Sequence, residues 1–140
     1  MIKQLNISNF KLHSNTELAT KGLTILTGMN GMGKSTIIQS LILLRQSYLM
    51  NDLDVGMNLK GDLCDAGISG ELACQSSNEH YLNVELKFDN QKDLVFKFQY
   101  PDNVMDTLLP GVETNVTDKN VLLKYPLFND SFQYLSAFRF

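Results

Sequence analysis

Arginine is nearly absent: Arg45 and Arg139 are the only two in the 140 residues. That excludes a small-molecule kinase built on an arginine-rich lid. Cysteine is scarce too, with Cys64 and Cys74 forming no CxxC pair and only His80 nearby. Two reduced thiols of a cytosolic protein are therefore the better reading than a metal site. No apolar run approaches the roughly 18 residues of a membrane span. The opening MIKQLNISNFKLH alternates polar with apolar residues, unlike a signal or transit peptide. Basic charge is not in excess either: 12 Lys and Arg stand against 15 Asp and Glu, for a net charge of −3. Nucleic acid thus finds no overall electrostatic footprint, only whatever a local patch supplies. There is no NKxD base-reading motif of a GTPase; TDKN at 117–120 has the letters in another order. Repeats and low-complexity segments are missing as well.

What is present suits one globular domain, with 44% hydrophobic and 19% charged residues. Ile2, Leu5 and Ile7 open a strand, followed by a polar connection. GLTILTG (22–28) reads as a buried strand feeding a glycine turn. From Ser35 the period changes: Ile37, Ile38, Leu41, Ile42, Leu44, Tyr48 and Leu49 recur at helical spacing, predicting a buried helix of about 15 residues. Residues 51–78 read as loop with short elements. YLNVELKF (81–88) and LVFKFQY (94–100) alternate around DNQKD, predicting a hairpin with Leu82, Val84, Leu86 and Phe88 on one face. Residues 101–118 read as loop, and VLLKY (121–125) and FQYLSAF (132–138) as strands. The fold class expected is α/β (α+β), a mixed or antiparallel sheet packed around the helix that starts at Ser35.

Between the second strand and that helix lies GMNGMGKST, residues 28–36, which satisfies GxxxxGK[ST]. A polyphosphate concentrates negative charge, so a loop that holds it must turn several backbone N–H groups inward, through conformations glycine adopts cheaply. Gly28, Gly31 and Gly33 give that freedom. The helix start adds unpaired N–H groups and a positive dipole end. Lys34 supplies a point charge for the β- and γ-phosphates, the Ser35 hydroxyl is suited to Mg²⁺, and Thr36 to the α-phosphate side. The candidate cradle is Gly28, Asn30, Gly31, Met32, Gly33, Lys34, Ser35 and Thr36. Met32 belongs to it by position; its side chain, like that of Met29, reads as packing.

A hydrolase of this kind also needs an acid at the end of an apolar strand, to hold Mg²⁺ and orient water. Asp89 follows the half-exposed strand NVELKF, Asp102 follows FKFQYP, and Asp130 follows YPLFN. Asp52 and Asp54 lie just past the helix, on a loop. None fits.

The first 36 residues, with a strand ending in NFK, the strand LTILTG and the loop in its G-x-N-G-x-G-K-S-T form, resemble the N-terminal lobe of the OLD, SMC and RecF branch of ABC-type AAA ATPases. Asn30 and Gly31 favour this branch. LKGDLCDAG (59–67) and YLSAFR (134–139) look like bacterial OLD-related members. The resemblance implies ATP and Mg²⁺ as ligands, an antiparallel sheet beside a parallel-stranded core, and homodimeric heads that sandwich ATP. It further implies association with DNA or a nuclease through the full-length protein, and positions near the nucleotide for Lys11 and His13, for which a solvated loop is the competing reading. Walker B, the signature motif and the switch histidine come later in such chains. Gln39, Arg45 and Gln46 fall on the helix, where a polar face is expected in any case.

Because the sequence ends within an apolar stretch, 1–140 is expected to be one N-terminal ATP-binding lobe of a longer ATPase, inactive in hydrolysis by itself. The alternative is a complete regulatory module that binds nucleotide without hydrolysing it. A scaffold that has lost binding is disfavoured by the intact Gly28, Gly33, Lys34 and Ser35 set.

Overall fold

The computed structural model describes residues 1–27, 33–116 and 118–135. Its strands are β1 (Ile2–Phe10), β2 (His13–Ala19), β3 (Gly56–Asn58), β4 (Tyr81–Phe88), β5 (Leu94–Gln99) and β6 (Leu108–Thr114), with one long helix, α1 (Lys34–Leu49). The strands form one sheet in the order β2-β1-β4-β5-β6-β3, and every pairing is antiparallel. The expected helix and the β4–β5 hairpin are both present, the hairpin in the register Leu82↔Phe98, Val84↔Phe96, Leu86↔Leu94.

Strict alternation in β4 drives Leu82, Val84, Leu86 and Phe88 into the core, as the period of two requires. Leu5 and Ile7 of β1 and Leu94, Phe96 and Phe98 of β5 extend the same face. Leu43 and Leu44 of α1 pack into this cluster together with Leu122, Tyr125, Leu127 and Phe128. Aromatic rings join the layers: Tyr48 on α1 lies 5.2 Å from Phe128, and Phe88 on β4 lies 4.7 Å from Tyr125.

Several elements differ from expectation. Residues 22–27 form no strand, and Leu23 and Ile25 are 80% and 73% exposed. An apolar run becomes a buried strand only where neighbours supply a ladder, and among the described residues no strand lies beside it. The parallel-stranded core implied by the resemblance is correspondingly not found among the described residues.

The polar connection proves to be β2, an edge strand that reaches its partner through backbone bonds and shows most side chains to solvent. Part of the expected loop 101–118 is β6, in which only Leu109 is buried. Its Pro110 sits next to a register shift against β5, where a missing N–H is tolerated. VLLKY lies in a 3-10 helix, Lys119–Lys124, started by Asp118, whose carboxylate accepts from the Asn120 N–H at 2.9 Å. Residues 132–135 are not strand, and 136–138 lie outside the described residues. Among the described residues no helix is long and apolar enough to cross a membrane.

Candidate functional site

The β1–β2 connection is a two-residue turn, Lys11–Leu12, made without glycine. Lys11 adopts φ 53° and Asn9 adopts φ 61°, the left-handed region that side chains rarely enter. Asn9 is held there by saturation. Its Nδ2 donates to the carbonyls of Glu79 (2.7 Å) and Tyr81 (3.0 Å), and its Oδ1 accepts from the Cys74 N–H (2.9 Å). The Lys11 N–H donates to the Leu72 carbonyl at 2.6 Å, fixing the turn against the body of the molecule.

That turn overhangs the start of α1. Gly33 is the N-cap, at φ 85° and ψ 10°, with no side-chain cap hydrogen bond. Lys34, Ser35 and Thr36 form the first turn, which contains no acidic residue. The positive end of the helix is therefore uncompensated by a local carboxylate and suited to an anion. Ser35 is exposed, and Lys34 and Thr36 are half-buried.

Both ends of the turn reach α1. The Lys11 ammonium donates to Gln39 Oε1 at 2.7 Å, and Gln39 Nε2 lies 3.4 Å from Cys64 Sγ. His13, 7% exposed, places Nε2 3.0 Å from the Gly33 carbonyl oxygen and Nδ1 2.8 Å from Thr16 Oγ1. A cavity of about 220 Å³ opens between these elements, lined by Lys11, Ser35, Thr36, Gln39, Cys64 and Tyr134 among others.

The structure thus brings Gly33, Lys34, Ser35 and Thr36 together in one turn, with Lys11 and His13 beside them. The other members of the predicted cradle, Gly28, Asn30, Gly31 and Met32, lie outside the described residues, as does Arg139. Of the three polar residues on the helix, only Gln39 lines the cavity. Arg45 donates to the carbonyls of Leu127 and Asn129, each at 2.9 Å, and its guanidinium lies over the Phe132 ring. Gln46 ties the loop after β3, donating to the Asn58 carbonyl and accepting from the N–H groups of Leu63 and Cys64. Both hold structure.

Cys64, Tyr134 and Thr16 were not legible as site residues. Cys64 arrives because Gln46 folds the segment 59–67 back onto α1, and its 64–65 stretch carries no motif. Cys64 is half-buried, Cys74 is buried, and both are free thiols. Among the described residues no cluster of three or more His, Cys, Asp or Glu side chains could hold a metal ion.

The family model described as an AAA ATPase domain matches residues 1–136. No curated protein matches the chain.

Proposed function

Since the chain belongs to the AAA ATPase domain family, we propose that residues 28–36 are its Walker A loop and bind ATP with Mg²⁺, in one lobe of an OLD/SMC/RecF-like ATPase. The observation that carries this reading is the left-handed turn at Gly33, which leads directly into a helix start free of carboxylates and bearing Lys34, Ser35 and Thr36. In this reading Lys34 holds the β- and γ-phosphates, the Ser35 hydroxyl takes a Mg²⁺ position, and Thr36 serves the α-phosphate side. The N–H groups of the first turn of α1 add to the anion site. Lys11, joined to Gln39 at the cavity edge, supplies a second cation on the same side.

Bound Mg²⁺–nucleotide supplies the electrophilic phosphorus for hydrolysis. The residues of this chain bind, orient and neutralise it. Dimerisation of heads, with ATP sandwiched between them, and contact with DNA or a nuclease are part of the proposal for the full-length protein.

A second reading, a nucleotide-binding module that does not hydrolyse, is favoured by one specific observation. No Asp or Glu lines the cavity beside Ser35 and Thr36 among the described residues. Calorimetric titration of ATP–Mg²⁺ with Lys34→Ala as control tests binding. Saturable binding in the parent, lost by at least tenfold in Lys34→Ala at unchanged circular dichroism, is the expected result (about 1.4 kcal/mol or more). Equal affinity in the two proteins would overturn the assignment. Because neither reading expects residues 1–140 to hydrolyse ATP alone, turnover by the full-length protein separates the two.

A further inference from the structure

His13 lies where the β1–β2 hairpin meets the N-cap of α1. Its Nε2 faces the Gly33 carbonyl at 3.0 Å, and a carbonyl can only accept, so Nε2 carries a proton. The neutral ring that satisfies both contacts is then the Nε2–H tautomer, with Nδ1 accepting from the Thr16 hydroxyl at 2.8 Å. The helix itself holds this carbonyl loosely, since the Ile37 N–H reaches it at only 3.3 Å. His13 makes the shorter contact.

The geometry has a consequence for the anion site. The Gly33 carbonyl and the Lys34 N–H are opposite ends of one rigid peptide plane. Holding the oxygen on one side aims the N–H on the other. Ring and glycine are also matched in space, because a Cβ at position 33 would lie 2.7 Å from His13 Nε2.

We propose that His13 is a positioning residue of the phosphate cradle: its Nε2–H clamps the Gly33 carbonyl and so aims the Lys34 N–H, with the Thr16 hydroxyl steadying the ring at Nδ1. The proposal rests on the nucleotide-binding reading above. A ring that only filled space could be phenylalanine. The clamp needs a donor.

The test uses the full chain in five forms: parent, His13→Phe, His13→Gln, Thr16→Val and Lys34→Ala. Calorimetric ATP–Mg²⁺ affinity is measured beside melting temperature, the ¹⁵N NMR spectrum of the imidazoles and the hydrogen-exchange rate of the Lys34 amide. His13→Phe should weaken binding by about three- to tenfold, because the Lys34 N–H loses its aim, and should lower the melting temperature by a few degrees, because the bond is present without ligand too. His13→Gln, whose amide can place a donor near the same point, should restore most of it. Thr16→Val should weaken binding less, with the ring keeping its proton on Nε2 toward the Gly33 carbonyl.

The proposal is overturned if His13→Phe binds like the parent, or if His13→Phe and His13→Gln are weakened equally, which would mark lost packing rather than a lost donor. Should His13→Phe fail to fold, the parent's ring spectrum decides, and a ring unprotonated at Nε2 overturns the clamp. If the parent and Lys34→Ala bind ATP alike, the nucleotide reading fails separately. The Lys34 amide then judges the clamp alone: exchange faster in His13→Phe than in the parent and His13→Gln supports it, and equal exchange in all three overturns it.

Discussion

Tyr100 ends the hairpin of β4 and β5 and points its hydroxyl at the strained end of β1, donating to the Asn9 carbonyl at 2.6 Å. Burial first, and then the charge of an ionised Cys74, raise its ionisation well above the ordinary 10.0. The folded state therefore favours the neutral phenol. Its contribution is fully present below the ordinary tyrosine value and is lost as pH climbs past it. Tyr100→Phe should cost about 1 kcal/mol at neutral pH, for the hydrogen bond. It should also flatten the fall in stability on the alkaline side, measured as urea midpoints from about pH 9 to 11. An alkaline limb as steep in Tyr100→Phe as in the parent would show that another group, such as Tyr125, sets it. Asn9 illustrates the same economy at one position: a left-handed asparagine, 1% exposed, whose amide satisfies three backbone groups.

At the scale of elements, α1 is the strut between the sheet and the site. Its first turn bears Lys34, Ser35 and Thr36, and much of its second half is buried, Leu43 and Leu44 completely. Leu43→Ala should cost about 2–5 kcal/mol, by lost transfer energy plus the cavity left behind. Because Lys34 lies more than two turns away along the helix, ATP affinity per folded molecule should stay near the parent's. Thermal melting and calorimetry on the same sample check both halves of this expectation. The β1–β2 hairpin is the second strut, and its contacts at Gly33 and Gln39 explain why a short turn without glycine is kept in so costly a conformation.

The whole molecule presents a polar sheet face on one side and an apolar groove on the other. The groove, about 600 Å³, runs between β1, α1 and the segment after Pro126, and Leu5, Leu18, Leu26, Ile37, Leu41 and Phe132 are among its lining. Leu23, Ile25 and Leu135 stand exposed as well, at 80%, 73% and 65%. Apolar surface of this kind drives association. Light scattering against concentration should show this chain associating with itself, and the double variant Leu23→Lys, Ile25→Lys should reduce that without lowering the melting temperature. A parent that stays monomeric at every concentration tried would remove the expectation.

The sequence by itself determined the features that are local or periodic. The helical spacing from Ile37 to Leu49 defined α1, the alternation in 81–88 and 94–100 defined the central hairpin, and Gly33-Lys34-Ser35-Thr36 marked a helix start. Each rests on interactions between residues close in the chain, so each is written in the chain. Tertiary structure decided whatever needed a partner from far away. VLLKY has the composition of a strand but pairs with no strand among the described residues, and all but its Tyr125 lies in the 3-10 helix that Asp118 caps. HSNTELA carries little apolar signal and became β2, because a backbone ladder asks only for a neighbour. LTILT reads as a strand and has no neighbour among the described residues. The candidate site divides the same way: Lys34 and Ser35 are read from their motif, whereas the contacts of His13 with Thr16 and Gly33 exist only because a two-residue turn lays one hairpin against the start of the helix.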